Sequence, residues 1–287
     1  MAITASQVAE LRASTGVGLM DCKKALEATN GDLTAAKDWL RKKGIAVAQK
    51  RSERETKEGV VAIQMTPDKR SASMVRLACE TDFVARNDQF QALVAQLATQ
   101  VLAKGAENVA DQVLAPGVGT GKGTVAELIT AAVGTTGENL QFMEAAKVDA
   151  PQGIVGGYVH SNSKIGVLVA LKADGSAPAD KLETLARDVA MHVAASQVSA
   201  IRPEDVPAEV LQKEKDIYVA QAKESGKSGD IVEKMVQGRL NKFLKEVSLL
   251  NQPFVKNPDQ TIEQLLAEQG KALGTKVAVE RFVKFTF

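Results

Sequence analysis

The spacing of apolar residues changes along the chain, and the changes divide it. Up to Leu40 they recur at helical spacing in three blocks: Val8 with Leu11, the run from Met20 to Ala28 with Leu26 inward, and Leu33, Ala36, Trp39 and Leu40. Gly16 and Gly18 separate the first two blocks, Asn30-Gly31-Asp32 predicts a turn before the third, and Lys42-Lys43-Gly44 reads as its end. A charged stretch over 45–58 follows. From Gly59 the period drops to two: Val61, Ile63 and Met65 alternate, Pro67-Asp68-Lys69 turns the chain, and Val75, Leu77 and Cys79 share one strand face. A helical run from Phe83 to about Leu102 comes next, with Phe90, Leu93, Val94, Leu97 and Val101 on one side.

After a glycine-punctuated region (104–123) and a helical run (124–133), the order recurs. The pattern predicts a strand over 153–160, a turn at Ser161-Asn162-Ser163-Lys164, and a strand over 165–171. A turn at 174–178 then leads to a helix with Leu182, Leu185, Val189, His192 and Val193 on one face. Two hairpin–helix units in tandem predict an α+β core of two similar halves with small antiparallel sheets. Residues 203–250 read as two antiparallel helices turned at 225–229, a protruding coiled hairpin. Gln252-Pro253-Phe254-Val255 breaks that pattern. A short helix over 261–268 and a closing strand over 277–287 complete the second sheet. The expected division is a helical module (1–52), a first core half (57–150), a second (151–200 plus 245–287) and an inserted hairpin (203–244).

Composition adds mainly exclusions. At 287 residues, with 45% apolar and 25% charged residues, the chain is expected to form two or three soluble domains. A net charge of +1 offers no strong field to DNA or an anionic membrane. No stretch resembles a leader or a membrane span, so the expected location is cytoplasmic. Arg41, Lys42 and Lys43, with Lys50, Arg51 and Arg54, read as a solvated helix end, a weak RNA contact being the alternative. Cys22 and Cys79 show no metal or redox spacing and read as reduced, buried thiols.

The glycine-rich run from Gly117 to Thr124 suggests a phosphate cradle, and hence a nucleotide-binding enzyme. It lacks the needed features: Pro116 stands at the first glycine position, no buried strand precedes it, and Gly123 follows the lysine. Gly226-Lys227-Ser228 lacks them more plainly. His192 on an apolar stripe reads as a core residue, and His160 at a hairpin as an exposed one. With two histidines no catalytic triad can be argued, and no cofactor or metal is expected.

That leaves Thr81-Asp82-Phe83-Val84, where a strand run meets a helical run. Thr81 or Asp82 can cap the helix. On pattern alone Phe83 reads as a core aromatic; the alternative is a ring projecting from the element's end.

Two stretches change that balance. Leu11-Arg12-Ala13-Ser14-Thr15-Gly16-Val17-Gly18-Leu19-Met20-Asp21-Cys22-Lys23-Lys24-Ala25-Leu26 and Cys79-Glu80-Thr81-Asp82-Phe83-Val84-Ala85-Arg86 resemble the two signatures of the bacterial elongation factor Ts family. Gly137-Glu138-Asn139, Tyr158 to His160, Met191-His192-Val193-Ala194-Ala195-Ser196 and Gln252-Pro253-Phe254-Val255 are similar as well. The resemblance implies a guanine-nucleotide exchange factor for elongation factor Tu, without covalent chemistry. It implies an N-terminal module like ubiquitin-associated (UBA) domains, a two-part core and a coiled-coil hairpin. Asp82 and Phe83 would act near the partner's magnesium and phosphate site, flanked by Thr81 and Val84. Lys23, Gly137, His160, Phe254 and Val255 would add contacts. Self-association as a homodimer stays open. Arg76, Ala78 and Lys256 depart from the family pattern, and no helical C-terminal extension is expected after Phe287.

Overall fold

The computed structural model describes residues 3–174, 177–224 and 230–287. Three helices open the chain: α1 (Ala5–Thr15), α2 (Leu19–Ala28) and α3 (Leu33–Arg51). The first core half follows as β1 (Glu58–Met65), β2 (Ser71–Cys79), α4 (Asp82–Ala85), α5 (Asp88–Lys104), α6 (Val125–Thr136) and β3 (Gln141–Asp149). The second contains β4 (Gly153–Val159), β5 (Ile165–Asp174) and α7 (Ala179–Ala195). Then come α8 (Ala208–Glu224), α9 (Asp230–Val247), β6 (Pro253–Phe254), β7 (Asn257–Thr261), α10 (Ile262–Leu273) and β8 (Lys276–Thr286). The fold is mixed α+β, with small antiparallel sheets ordered β1-β2-β3, β4-β5-β8 and β6-β7. The chain's last strand thus completes the second sheet, as the alternation predicted.

Side-chain caps explain where several helices begin. Thr4, Asp32, Thr124 and Thr261 accept from amides of their first turns, filling donors that a helix start leaves unpaired. Val8, Leu11, Cys22, Leu26, Ala36 and Leu40 bury one another between the first three helices.

Contrary to the pattern, α3 does not stop at Gly44. There its backbone meets α6: a Cβ added to Gly134 would lie 3.0 Å from the Gly44 Cα. Paired glycines let the two helices touch, and packing outweighs the propensity cost of a helical glycine, about 1 kcal/mol.

The long run after β2 is two helices rather than one, because Asn87 accepts from the Gln89 and Phe90 amides and restarts the helix. The α5 stripe then buries against β1 and β2, as expected. β3 had no signal in the pattern, since its first residues are mostly exposed. α7 covers one face of the second sheet. The other face meets the first sheet through Val61, Met74, Val148, Val155, Leu168 and Phe285. The Val61 amide donates to the Ser163 carbonyl and the Val155 amide to that of Lys69, both at 2.7 Å.

α8 and α9 pack on each other, and Arg239 donates to Gln221 at 2.6 Å. The turn expected at 225–229 lies outside the described residues, as do residues 175–176 of the one expected at 174–178. Among the described residues no helix is long and apolar enough to cross a membrane.

The Gly44–Gly134 contact is testable. Gly134→Val should force α3 from α6 and destabilise the protein by about 1–3 kcal/mol, read as a lower urea midpoint.

Candidate functional site

β2 ends in the buried Cys79, and the chain turns at Glu80 and Thr81. Thr81, in extended conformation, starts α4: its hydroxyl oxygen accepts from the Val84 amide at 3.4 Å. Of the two capping candidates, Thr81 takes the role. Phe83 in that first turn is 83% exposed, the most exposed large apolar residue among those described. The core-aromatic reading is therefore corrected. One short turn followed by the Asn87 restart aims Ala85 and Phe90 inward instead, at 7% and 1% exposure. Val84 is half-buried. The Asp82 carboxylate lies 3.2 Å from Arg86, an exposed i,i+4 pair worth a few tenths of a kcal/mol.

A carboxylate from the far end of the first half holds this corner. Gly137 ends α6 with φ 71°, which aims Glu138 at the turn. Glu138 accepts from the Glu80 and Thr81 amides, both at 3.1 Å, and from the Thr81 hydroxyl at 2.5 Å. The arrangement is reciprocal. Glu80 accepts from the Asn139 amide at 2.6 Å, from Arg54 at 3.2 Å and from Arg51 at 3.3 Å. The Asn139 side chain donates to the Arg54 carbonyl at 2.8 Å. Burial pushes Glu80 toward protonation, but the Asn139 amide and the Arg54 and Arg51 guanidinium groups outweigh it, holding its pKa below the ordinary value. Burial, with the Glu138 and Glu58 charges, pushes the Cys79 thiol up to about 12, so it is no nucleophile at neutral pH.

The second half reaches the same place. A groove of about 550 Å³ runs from Asp82, Arg86 and Gln91 to Ser161, Asn162 and Lys164. His160, exposed just before that turn, has its Nδ1 3.0 Å from the Tyr158 hydroxyl. Gly137 adjoins the corner through Glu138. Lys23 is exposed on α2, and Leu19 and Met20 nearby are 50% and 60% exposed, an apolar patch the pattern did not single out. Glu80, Glu138 and Asn139 were also missed as site residues.

Phe254 needs correction. It is 5% exposed and packs in the core below α7 and α10, its ring 6.2 Å from that of His192. Its neighbour Val255 faces out instead, 46% exposed. His192 is the satisfied core histidine expected: Nε2 pairs with the Gln252 Oε1 at 2.8 Å, and Nδ1 accepts from the Val255 amide at 3.2 Å.

Other candidates are engaged within the chain. Arg41 pairs with Glu127 at 2.6 Å and Lys43 with Asp21 at 2.5 Å. The glycine-rich run follows a short turn at 109–111 rather than a buried strand, and its Gly119 amide donates to Gln96 at 3.0 Å.

Among known families, the one described as Elongation factor TS matches residues 80–287. The elongation factor Ts of Trichlorobacter lovleyi is 43% identical over 99% of this chain and 92% of its own length. Those of Caulobacter vibrioides and Agrobacterium fabrum are 44% and 46% identical, each over 98% of this chain and 91% of their own.

The pH response of His192 is testable. Burial lowers its pKa below the ordinary 6.5, against the opposing bond to Gln252. The unfolded chain therefore takes up a proton that the fold refuses, so its stabilising contribution is full above about 6.5 and falls as pH drops toward the folded value. Unfolding midpoints should decline from pH 7 to pH 5.5, and less steeply in His192→Gln.

Proposed function

The chain belongs to the elongation factor Ts family, and on that premise we propose that it is a guanine-nucleotide exchange factor. It binds elongation factor Tu carrying GDP and promotes release through the Asp82-Phe83 corner, without making or breaking a covalent bond. The observation that carries this reading is the exposure of Phe83 on a backbone held by Glu138. A ring that faces water in the free protein, on a turn that cannot fold inward, is built for another surface.

A GTPase holds GDP with backbone amides and a magnesium ion that offsets phosphate charge. Phe83 wedges into an apolar gap beside that site. Asp82, leaving Arg86, competes for the groups that organise the ion. Whatever stabilises the magnesium-free form speeds release by its differential affinity, and by linkage GDP and this protein weaken each other's binding equally. Thr81 and Val84 support the corner, while Lys23, Gly137, His160 and Val255 add contact surface. We read the domains as UBA-like helices (1–52), core halves at 57–150 and 151–200 plus 245–287, and a coiled-coil hairpin (203–244), acting in the cytoplasm.

Stopped-flow release of a fluorescent GDP from elongation factor Tu tests the reading. Phe83→Ala should lower kcat/KM about 30-fold, the loss of a binding hot spot of about 2 kcal/mol, with an unchanged unfolding midpoint. Unfolding with exchange spared would sink the proposal. Asp82→Ala should lose less, by an amount that varies with magnesium concentration; indifference to magnesium would remove the ion-competition step.

A further inference from the structure

We infer that Glu80 is a positioning residue that fixes the helical module α1–α3 relative to the Asp82-Phe83 corner, so that both meet one partner in one register. The inference rests on the exchange reading above. Three segments converge on the Glu80 carboxylate: Arg51, the last residue of α3; Arg54, in the connection; and the Asn139 amide beyond α6. The side chain is only 17% exposed, so these partners stand in for most of its water. Charge-assisted bonds in such a place hold geometry that an exposed ion pair does not.

One residue on, Thr81 caps the turn that presents Phe83, and Glu138 holds the amides of both residues. In the other direction, α3 is a continuous helix of 19 residues. Its Ala36 and Leu40 share a core with Cys22 and Leu26 of α2, whose exposed face carries Leu19, Met20 and Lys23. The α2 face and the Phe83 corner are therefore ends of one connected body.

The crossing of α3 on α6 is where that body could pivot. Gly44 and Gly134 meet there backbone to backbone, and the side chains that pack α3 against the first core, Val47 and Ala48, come only one turn further on. The Arg41–Glu127 pair across the same helices is exposed at both ends and restrains little. Arg51 lies two turns beyond the crossing, about 10 Å along the helix axis. Its bond to Glu80 works on that lever arm, and a free pivot would have to be frozen on binding, at an entropic cost paid from affinity.

The test combines exchange kinetics with a distance measurement on the full chain. Glu80→Gln keeps the side chain's shape and an acceptor for Asn139 but removes the charge. It should raise the half-saturating concentration (KM) for GDP release from elongation factor Tu about tenfold, or about 1.4 kcal/mol. The saturating rate should stay within twofold. Arg54→Gln, which leaves the corner untouched, should shift KM the same way by less, and it carries the test if Glu80→Gln does not fold. Spin labels on Lys24→Cys and Asp88→Cys, both exposed positions, should give one narrow distance that broadens in either variant. Unchanged KM, a loss confined to kcat, or a distance as narrow as in the parent overturns the inference. If the parent itself fails to speed GDP release, the exchange reading falls, and the label distance alone decides what Glu80 holds.

Discussion

A phenyl ring left in water forgoes the 2–3 kcal/mol or so that burial would return, so Phe83 stays outside only while its backbone forbids the inward turn. The constraint is the Glu138 carboxylate, which accepts three hydrogen bonds from Glu80 and Thr81. Backbone amides leaving a strand have no ladder partner, and a carboxylate that satisfies two at once fixes the direction of the next turn. Thr81 then caps α4, Asn87 restarts the helix, and the inward positions pass to Ala85 and Phe90. The ring's exposure follows from the polar bonds beneath it.

Rigidity matters because exchange is a differential-binding problem. Accelerating GDP release by about 10⁴-fold takes roughly 5.5 kcal/mol of preference for the nucleotide-free partner. One aromatic supplies at most about half of that. On the exchange reading proposed above, the remainder is assigned to surfaces that engage together: the exposed α2 face with Leu19 and Met20, the groove between Asp82 and Asn162, and the exposed Val255. Contacts spread over separate elements add only if little ordering is left to do. The sheet-to-sheet core, with Val61 bonded to Ser163 and Val155 to Lys69, supplies that condition between the halves.

What the sequence disclosed depended on how local each signal was. The stripes of α5 and α7, the recurrence of hairpin and helix, and the closing strand are short-period patterns, and all are present. Gly44 misled because its local meaning is a stop, whereas Gly134, 90 residues away, turns it into a contact. Asn87 carried a cap signal, but the apolar spacing from 83 to 101 reads smoothly across it, which hid the break that turns Phe83 outward. β3 is half-exposed and lacks alternation. The bonds from Glu138 to the corner span 57 and 58 residues, beyond any periodicity argument. Only the resemblance drew attention to Gly137-Glu138-Asn139, and it gave no role to the glutamate. Phe254 failed in the opposite sense: a residue from a stretch similar to the family was taken for surface when it is core, with the exposed position one residue on.

Two residues expected to depart from the family pattern, Lys256 and Arg76, find partners within the chain. Lys256 stands beside Val255, where a free ammonium would alter what a partner meets; here it lies 2.7 Å from Asp188 on α7. Arg76 on β2 lies 3.4 Å from Glu144 and stacks over the Phe287 ring, 5.2 Å from its centroid. That ring occupies the space where a Cβ on Gly59 would sit, at 2.3 Å. Arg76 on β2 and Gly59 on β1 thus both meet the ring of Phe287, which follows β8. Each cation is answered from within the chain, and neither presents a new charge beside Asp82. A charged residue beside a proposed contact surface is therefore judged by the partner it finds in its own fold before any effect on another protein is assigned to it.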